Sequence, residues 1–430
     1  MNPISWGLYP KIKSKKHTFD SLENLAGLLK TEGEFIPFGN GRSYGDSALN
    51  DNIIYTKPYN YFLGFDETSG ILHCQAGVLL SEILKIFVPK GWFLSVTPGT
   101  KLITVGGAIA SDVHGKNHHI EGCFSSCVDE FNLMLPDGKI KTVTKNDELF
   151  YATCGGMGLT GVILDAKISL TKINSKNINQ TTIKTKNLKE TFGAFEKYQN
   201  MPYSVAWIDC LAKGKNLGKC LLMVGDFADD GDLDYRKKMK LNVPFTFPAF
   251  TLNSLSVKAF NWLYYKKAPK GISHQKVDID SFFYPLDAID NWNRIYGKNG
   301  FTQYQFILPK AASFKGLKEI LETIAKSGKG SFLAVLKLYG KANKNYLSFP
   351  IEGYSLALDF KIEKGLFELL DNLDQIVIKY GGRIYLTKDV RVSKENFEKG
   401  YEHIDKFRAL RKAYKMDKKL QSLQSKRVGI

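Results

Sequence analysis

The stretch FGNGRSYGD, residues 38–46, sets three glycines among Asn40, Arg42, Ser43 and Tyr44, directly after the apolar run EFIP. A strand that runs into such a loop can direct successive backbone N–H groups at a phosphate, because glycine permits unusual dihedral angles and close approach. An ordinary glycine turn is the alternative interpretation. This loop alone slightly favours the ordinary turn.

A second glycine-rich stretch, TPGTKLITVGGAIASDVHG, occupies residues 97–115. It has the same character as the first, with glycines next to small polar residues at the start of a predicted helix. Two anion-binding loops in one part of a chain favour a ligand with a long diphosphate.

Residues 156–161, GMGLTG, match the pattern G-x-G-x-x-G. In a dinucleotide-binding fold that pattern follows a strand and opens a helix, so that the helix N-terminus meets the pyrophosphate. Here a predicted helix precedes the glycines and the predicted strand VILDAKISLTK follows them. The reversed order excludes the Rossmann interpretation and predicts a tight passage from helix to strand.

The segment SDVHGKNHHIEGCFSSC, residues 111–127, contains three histidines and two cysteines. Their separations, H-x3-H and C-x3-C, leave a zinc site open as a hypothesis. The glycine-rich helix start immediately before His114 favours a cofactor instead. In that case Cys123 and Cys127 are expected to be small buried hydrophobic residues.

The 430 residues carry 60 Lys and Arg against 43 Asp and Glu, a formal net charge of +17. Such a field attracts anions, which include nucleic acid, phosphorylated substrates and anionic bilayers. The dense C-terminal run FRALRKAYKMDKKLQSLQSKRV is interpreted as a solvated helix face. Six cysteines without framework spacing predict reduced thiols, and neither a secretory signal nor an apolar run of transmembrane length is found. We therefore expect a cytoplasmic protein whose membrane contact is limited to its surface.

The pattern of predicted strands and helices changes near residue 176. Before it, strands and helices alternate with glycine at many junctions, including hairpins that turn at Thr68-Ser69-Gly70 and Pro136-Asp137-Gly138. After it, strand-like runs such as FTQYQFILP alternate with long helices, which predicts a sheet covered on one face by helices. Residues 247–276 are aromatic, basic and poor in regular periodicity, and we interpret them as a mobile lid.

GNGRSYGD, TVGGAIASDVHGKNHH and GGMGLTGVI together resemble the FAD-binding domain of the vanillyl-alcohol-oxidase flavoprotein superfamily. The order of motifs along the chain resembles the decaprenylphosphoryl-β-D-ribose 2′-oxidase family. The later stretches that carry this resemblance are AWIDC, FLAVLKLYG, LSFPIEGYSLALDF and GGRIYLTKDVR. The resemblance implies an α+β, two-domain flavoprotein. Its PCMH-type FAD-binding domain would span residues 1–176 and be completed by 383–430, and a substrate domain with an antiparallel sheet covered by helices would span 177–382.

The resemblance also implies a site. The expected catalytic residues are Lys388, Lys337, His114 and Tyr44. The expected FAD-binding residues are Phe38, Gly39, Asn40, Gly41, Arg42, Ser43, Tyr44, Gly45, Asp46, Gly99, Thr104, Val105, Gly106, Gly107, Ser111, Asp112, His114, Gly115, Val162 and Tyr385. The expected substrate-binding residues are Lys116, Trp207, Tyr284, Gln303, Gln305, Lys337, Ser355, Ala357 and Lys388, and no metal is expected.

The chemistry expected of these residues follows from their side chains. A buried ammonium stabilises the negative charge that develops on a reacting hydroxyl, which suits Lys388 and Lys337. Each of them could otherwise be a snorkelling surface lysine. Gln303 and Gln305 alternate on a strand and share a face, where two amides suit sugar hydroxyls.

Three positions depart from the family pattern. Arg42 stands where many members of the superfamily carry a histidine bonded to the flavin, and a guanidinium is a poor nucleophile, so FAD is expected to be bound non-covalently. Ala357 and Ser355 stand where mycobacterial relatives carry a cysteine and an asparagine. That cysteine is the thiol trapped by nitroaromatic covalent inhibitors.

The expected reaction oxidises the 2′-hydroxyl of a polyprenyl-phosphate-linked pentose to the 2′-keto sugar. Expected partners are an NADH-dependent short-chain reductase that completes an epimerisation, and a quinone or oxygen as electron acceptor. Peripheral contact with the inner face of the membrane is also expected. The alternatives are an oxidase of a free alditol, a flavin-holding scaffold without turnover, and a basic nucleic-acid-binding protein.

Overall fold

The computed structural model describes residues 4–236 and 240–430. Its N-terminal part begins with a three-stranded parallel sheet of order β1-β3-β2. These strands are β1 Lys15–His17, β2 Ile36–Phe38 and β3 Asn52–Tyr55. The glycine loop of residues 38–46 therefore starts at the end of β2, as predicted.

An antiparallel sheet follows, with the order β4-β5-β9-β7-β8 and with β6 paired to β9. Its strands are β4 Phe62–Asp66, β5 Ile71–Gln75, β6 Trp92–Leu94, β7 Val128–Met134, β8 Ile140–Thr144 and β9 Val162–Lys172. The two predicted hairpins are confirmed, and Gly70 and Gly138 turn them with φ of 73° and 84°. Positive φ is the reason why glycine is needed at both turns.

Five helices accompany these sheets: α1 Leu22–Lys30, α2 Leu80–Phe87, α3 Val105–Ala110, α4 His118–Glu121 and α5 Glu148–Thr153. Helix α3 begins after Thr104, whose hydroxyl accepts a hydrogen bond from the backbone N–H of Gly107. Residues 156–161 connect α5 to β9, so the predicted passage from helix to strand is confirmed.

An eight-stranded antiparallel sheet has the order β14-β10-β12-β11-β17-β18-β16-β19. The strands in this region, including the short parallel pair β13 and β15, are β10 Asn177–Thr185, β11 Tyr203–Ile208, β12 Cys220–Phe227, β13 Leu241–Asn242, β14 Ile272–Asp278, β15 Ile289–Asp290, β16 Phe301–Pro309, β17 Ala334–Tyr339, β18 Gly353–Lys361 and β19 Arg383–Ile384. The chain passes from the first antiparallel sheet to the eight-stranded sheet between β9 and β10, at residues 172–177.

Helices cover one face of this sheet and leave the other face to the N-terminal part. The helices of the region are α6 Leu188–Lys197, α7 Ser254–Lys267, α8 Ile279–Phe283, α9 Lys310–Ser327 and α10 Leu366–Lys379. Helices α6, α9 and α10 pack on the strands through buried side chains such as Phe195, Ile320 and Leu373. The predicted α+β fold, with an antiparallel sheet covered by helices, is confirmed.

The segment 247–276 is more regular than the sequence indicates. Residues Ser254–Lys267 form α7, and Ile272–Asp278 form the edge strand β14, which pairs with β10. The interpretation of this segment as a mobile lid stays a prediction. Polar residues such as Ser254, Lys258 and Asn261 are mixed with apolar ones around α7, which explains its weak amphipathic periodicity in the sequence.

The interpretation of the C-terminal run as a solvated face holds for its exposed residues Lys412, Lys415, Lys418 and Lys426, whereas Arg411 is buried and Arg427 is half-buried. After β19 the chain forms α11 Lys394–Gly400, α12 Ile404–Ala413 and α13 Leu423–Val428, which return to the N-terminal part, where Leu420 forms a β-bridge with Phe35. Arg411 is only 1% exposed and donates to the backbone carbonyls of Leu159 and Leu420. Two of the run's basic residues, Arg411 and Arg427, therefore hold the fold together instead of lying in solvent.

The remaining short 3-10 turns are Val88–Lys90, Phe124–Cys127, Gly214–Asn216, Ala249–Thr251, Pro285–Ala288, Trp292–Tyr296 and Met416–Lys418. None of the described helices is long and apolar enough to cross a membrane.

Candidate active site

A cavity of about 450 Å³ lies between the N-terminal part and the open face of the eight-stranded sheet. The two glycine loops form one wall. Residues on β11, β16, β17 and β18 form the opposite wall, and the loop of residues 385–388 contributes a third side. Pockets of this size bury most of a cofactor or small substrate.

The glycine wall is tightly packed. Gly39, Asn40, Gly41, Arg42, Ser43 and Tyr44 line the cavity, as do Gly99, Thr104, Gly106, Gly107 and Ser111. A Cβ placed on Gly39 would lie 2.6 Å from the hydroxyl oxygen of Thr104. The two loops therefore touch at a point where only glycine fits, which leaves backbone N–H groups close to the space in front of them.

Arg42 provides a cation at this wall. Its guanidinium stacks over the Trp6 ring at 4.1 Å, and its buried Nε has no hydrogen-bond partner among the described residues. Burial lowers the pKa of Arg42, an effect that nearby Asp287 opposes. A buried, incompletely paired guanidinium beside glycine-rich loops fits the diphosphate of FAD.

Lys388 reaches the cavity from the loop after β19. Its ammonium lies over the Tyr44 ring, 3.5 Å from the centroid. Burial lowers the pKa of Lys388, and the carboxylate of Asp359 on β18 opposes this effect. A lysine held in this way is close to its titration range yet retains a counter-charge, which is the condition required for stabilising a developing alkoxide.

Asp359 belongs to a buried group of polar side chains behind Lys388. The amide of Gln303 donates to its Oδ1 at 2.5 Å, and the hydroxyl of Tyr296 donates to Oδ2 at 3.3 Å. Burial raises the pKa of this carboxyl, while Gln303 and Lys388 favour its charged form. Gln303 is thus a cavity residue whose amide nitrogen is already engaged.

Gln305 organises a second group of polar side chains. Its amide nitrogen lies 3.3 Å from His114 Nε2, 3.4 Å from the Tyr339 hydroxyl and 3.3 Å from the Ser355 hydroxyl. Burial, with Lys337 nearby, lowers the pKa of His114 well below its ordinary value, so the imidazole is neutral. The direction of the contact between the amide and Nε2 depends on the tautomer of His114, and Nδ1 has no partner among the described residues.

Two further lysines face the same space. Burial lowers the pKa of Lys337 to about 8, and it lowers the pKa of Lys116 to about 7 with a contribution from Lys337. Lys116 donates to the carbonyl of Phe282 and lies over that ring at 4.5 Å. Lys337 has no hydrogen-bond or ion-pair partner in the described part of the chain. The cavity therefore has a marked excess of positive charge.

Aromatic residues shape the remainder of the cavity. Trp207 donates from its indole nitrogen to the carbonyl of Phe332 and meets the ring of Tyr264 edge-on at 4.9 Å. Tyr385 lies on the opposite side, where its hydroxyl donates to the Ser111 carbonyl at 3.1 Å. Ala357 and Ser355 also line the cavity, as their alternation on β18 predicts.

Eight of the residues named from the sequence do not line the cavity: Phe38, Gly45, Asp46, Val105, Asp112, Gly115, Val162 and Tyr284. Asp46 pairs with Arg427, and Asp112 accepts from Asn343, Asn345 and Ser348. The Tyr284 hydroxyl contacts the Thr97 hydroxyl at 2.7 Å. Asp46, Asp112 and Tyr284 therefore join neighbouring segments behind the cavity.

Val162 lies on the side of its strand that faces away from the cavity. It is buried in a small cluster with Met134 and Leu164, whereas its neighbours Gly161 and Ile163 line the cavity. Successive residues of a strand face opposite sides, so an error of one position reverses the direction of a side chain.

The cavity also includes residues that the sequence analysis did not name. Those with rings or polar groups include Trp6, Thr56, Tyr264, Asp287, Trp292 and Thr387. Asp359 supports the cavity from behind and was missed as well. An acid at the end of the apolar run YSLAL is a usable signal for it, since a charge in a buried strand needs a partner.

The histidines and cysteines of residues 111–127 do not converge. His118 Nδ1 accepts from the N–H of Gly340, His119 lies at the carbonyl of Met201, and the Cys127 thiol donates to the carbonyl of Phe124. No group of three His, Cys, Asp or Glu residues in the described ranges could hold a metal ion. All six cysteines are buried, which agrees with the interpretation of Cys123 and Cys127 as small buried hydrophobic residues.

Comparison with known proteins supports the interpretation of the cavity. Residues 20–144 match the FAD binding domain family. Decaprenylphosphoryl-beta-D-ribose oxidase of Mycolicibacterium smegmatis is 36% identical over 396 residues, which cover 88% of this chain and 85% of that protein. An uncharacterised protein encoded in the mprA 5′ region of Streptomyces coelicolor is 28% identical over 371 residues, 82% of this chain and all of that protein. D-lactate dehydrogenase of Anaerostipes hadrus is 28% identical over 125 residues, about a quarter of each chain.

These matches, together with a cavity whose glycine wall and Arg42 fit the cofactor, make the chain an FAD-dependent oxidoreductase. The similarity to the mycobacterial oxidase extends far beyond the FAD-binding segment and includes the strands that carry Lys337 and Ser355. The chain belongs to the decaprenylphosphoryl-β-D-ribose oxidase family.

Proposed function

We propose that this oxidoreductase oxidises the 2′-hydroxyl of a polyprenyl-phosphate-linked pentose to the 2′-keto sugar. The main support is the position of Lys388. Its side chain lines the cavity beside the glycine loops, and its ammonium lies over the ring of Tyr44 in the first loop. FAD, when bound, supplies an electrophilic N5 that accepts the hydride from the carbinol carbon. The chain's own residues bind the substrate, orient it and stabilise its charge.

Lys388 has the central role in this proposal. As the hydroxyl proton leaves to solvent, negative charge develops on the substrate oxygen, and that charge becomes part of the new C=O bond as the hydride departs from the carbinol carbon. The ammonium of Lys388 stabilises that charge, and Asp359 keeps the ammonium protonated in a buried setting. The ring of Tyr44 fixes the position of the ammonium through a cation–π contact.

The sugar is proposed to be bound by Gln303, Gln305, Ser355 and His114. Gln305 connects His114, Tyr339 and Ser355, so their donors and acceptors are fixed before substrate arrives. The neutral imidazole of His114 has a buried Nδ1 without a hydrogen-bond partner among the described residues. Lys116 and Lys337 add positive charge that suits the phosphate of a glycosyl phosphodiester.

The domain assignment belongs to the same proposal. Residues 1–176 with 383–430 form the FAD-binding domain, and residues 177–382 form the substrate-binding domain; residues 1–3 and 237–239 lie outside the described part. The change of sheet at residues 172–177 supports this division. Strand β19, Arg383–Ile384, pairs with β16, so the returning segment is joined to the substrate domain at its start.

We also propose the place of this reaction between two others. A 2′-keto product requires a subsequent reduction to become an epimer, so an NADH-dependent short-chain reductase is the expected partner. The reduced enzyme requires an electron acceptor, for which a quinone or oxygen is proposed. A lipid-linked substrate further requires contact with a membrane surface.

An anaerobic substrate comparison tests the function. The FAD-loaded protein is mixed with a polyprenyl-phosphoryl riboside, with the free pentose and with an alditol, and the visible flavin absorbance is followed. Bleaching by the lipid-linked sugar, with a keto product two mass units lighter, is the expected result. Bleaching only by the alditol would transfer the protein to the alternative substrate class, and no bleaching by any alcohol would leave a scaffold without turnover.

A further inference from the structure

The segment between Tyr235 and Val277 has an unusual charge composition. It contains nine Lys and Arg residues and no Asp or Glu. It is also rich in aromatic residues, which include Phe245, Phe250, Phe260 and Trp262. Basic and aromatic residues together are typical of surfaces that lie at the boundary between water and lipid.

The helix α7 exposes large apolar side chains on its outer side. Leu255 is 77% exposed, Trp262 is 54% exposed and Leu263 is 58% exposed, and Phe250 just before the helix is 77% exposed. Four exposed lysines accompany them: Lys258, Lys266, Lys267 and Lys270. We call these eight residues the basic aromatic surface. Several large apolar side chains exposed on and next to one helix of a folded chain mark a site of interaction.

The inner side of α7 is firmly attached. Val257 and Asn261 are buried, and the Asn261 amide donates to the carboxylate of Asp209 at 2.8 Å. The hydroxyl of Tyr265 donates to the carbonyl of Thr185 at 2.9 Å. The helix is therefore held in place by its inner side, and its outer apolar residues are not needed to anchor it.

Helix α7 also reaches the cavity. The ring of Tyr264 lines the cavity and packs edge-on against Trp207. One helix thus has one side at the active-site cavity and another at the surface. A ligand with a sugar at one end and a long apolar chain at the other could follow this route.

We propose that the basic aromatic surface docks on an anionic lipid bilayer and sets the cavity entrance at the membrane. The inference rests on the proposed function, since a polyprenyl chain must remain in lipid while its sugar enters the cavity. Charge selects the occupant, because an anionic headgroup layer complements a segment that has no acidic residue. A second copy of this surface would bring like charges together.

Vesicle sedimentation tests the proposal with the FAD-loaded full chain. Vesicles of phosphatidylcholine with 30% phosphatidylglycerol should bind the protein, and vesicles of phosphatidylcholine alone should bind it far more weakly. The variant K266E/K267E should lose about twenty-fold or more in partitioning, since each surface charge contributes about five-fold. The matched variant K315E/K318E changes two exposed lysines of α9 and should bind normally.

The apolar part of the surface has its own test. Trp262 should enter the interface, so brominated lipids should quench part of the tryptophan emission of the parent protein, and that part should be absent in W262F. The double variant W262S/L263S should bind vesicles weakly even at low salt. Unchanged binding by this variant and by K266E/K267E would overturn the proposal, as would a stable dimer that removes Trp262 from solvent.

Turnover separates this proposal from the function on which it rests. If the variants oxidise a short-chain, detergent-soluble lipid phosphoriboside normally but fail with the vesicle-borne substrate, both proposals are supported. Normal turnover of the vesicle-borne substrate by variants that do not bind would contradict the docking surface alone. Vesicle binding by a protein that oxidises no lipid-linked sugar would contradict the function and leave the surface intact.

Discussion

The ammonium of Lys388 lies 3.5 Å from the centroid of the Tyr44 ring, so the loop after β19 meets the first glycine loop inside the cavity. These residues are 344 positions apart in the sequence. Their contact is reinforced by the backbone, since the N–H of Tyr44 donates to the carbonyl of Thr387 at 3.1 Å. The lysine that we propose to stabilise substrate charge is thus positioned by the segment that we propose to hold the cofactor.

Replacement of Lys388 tests its electrostatic role. Lys388→Met keeps most of the apolar stem and removes the charge, so FAD should remain bound while turnover falls by about 10²–10⁴-fold. Steady-state kinetics and the flavin spectrum measure the two effects separately. Near-normal turnover would transfer the role to Lys337, His114 or Tyr44, and Lys337→Met is the comparison variant.

The activity should decline as the pH rises. Burial lowers the pKa of Lys388, and the reaction requires the ammonium form, so turnover is lost as the pH passes upward through that lowered pKa. Asp359 opposes the lowering, and Asp359→Asn should therefore move the alkaline limb of the pH–rate profile to lower pH. Asp287→Asn, which removes a different acid of the cavity wall, should leave the limb in place. A limb that moves to higher pH in Asp359→Asn would contradict the proposed pairing.

FAD should be fully released on denaturation. No histidine is present in residues 38–46, and the Arg42 guanidinium forms no covalent bond to a flavin. Acid precipitation followed by absorbance of the supernatant measures the released fraction. Arg42→Ala should weaken FAD binding about tenfold or more, because it removes a charged partner of the diphosphate. Flavin that stays with the precipitated chain would show that the loop holds the cofactor differently.

A cysteine introduced at position 357 tests whether strand β18 lines the cavity. The six native cysteines are buried, and burial raises the pKa of Cys127 to about 12 and that of Cys210 to about 12, so the parent chain should react slowly with a maleimide. Ala357→Cys places a thiol in the cavity and should add one adduct by intact-mass spectrometry. It should also restore covalent capture of nitroaromatic inhibitors after turnover. Ala357→Ser is the matched control, and a lack of reaction in the Ala357→Cys variant would show that this strand faces elsewhere.

Arg427 on α13 is expected to stabilise both loops. Its guanidinium lies 2.9 Å from the carboxylate of Asp46 and 2.9 Å from that of Asp389, the residue after Lys388. Arg427→Met leaves two buried carboxylates without their partner and should lower the free energy of unfolding by about 3 kcal/mol. FAD affinity should fall as well. Arg236→Met removes an exposed arginine paired with Asp234 and should change neither quantity. Equal stability of both variants would contradict the positioning role.

Much of the N-terminal architecture could be predicted from local signals. Glycines at turns, the alternation of apolar residues and the helix start at Thr104 depend on neighbours in the sequence, and their outcome matched the expectation. The buried Arg411 and Arg427 could not be predicted in this way, because their partners lie far along the chain. The same applies to Asp359, whose significance depends on Lys388.

The sequence also could not predict which side chains of a strand point into the cavity. Strand alternation predicts that Ala357 and Ser355 share one face, and both line the cavity. Val162 does not line the cavity, whereas its neighbours Gly161 and Ile163 do, since a glycine-rich passage fixes no register before the strand begins. Alternation gives relative directions within one strand, and only the packing of the whole fold decides which face meets the cavity.

The ion pair between Arg427 and Asp46 joins positions that are 381 residues apart. During synthesis on the ribosome, the first glycine loop leaves the exit tunnel long before the helix that secures it exists. The eight-stranded sheet, with strands between residues 177 and 384, can assemble meanwhile. We therefore expect cofactor capture to be a late event in the biogenesis of this protein, and nascent chains that stall before residue 423 should expose an incomplete cofactor cavity to chaperones and proteases.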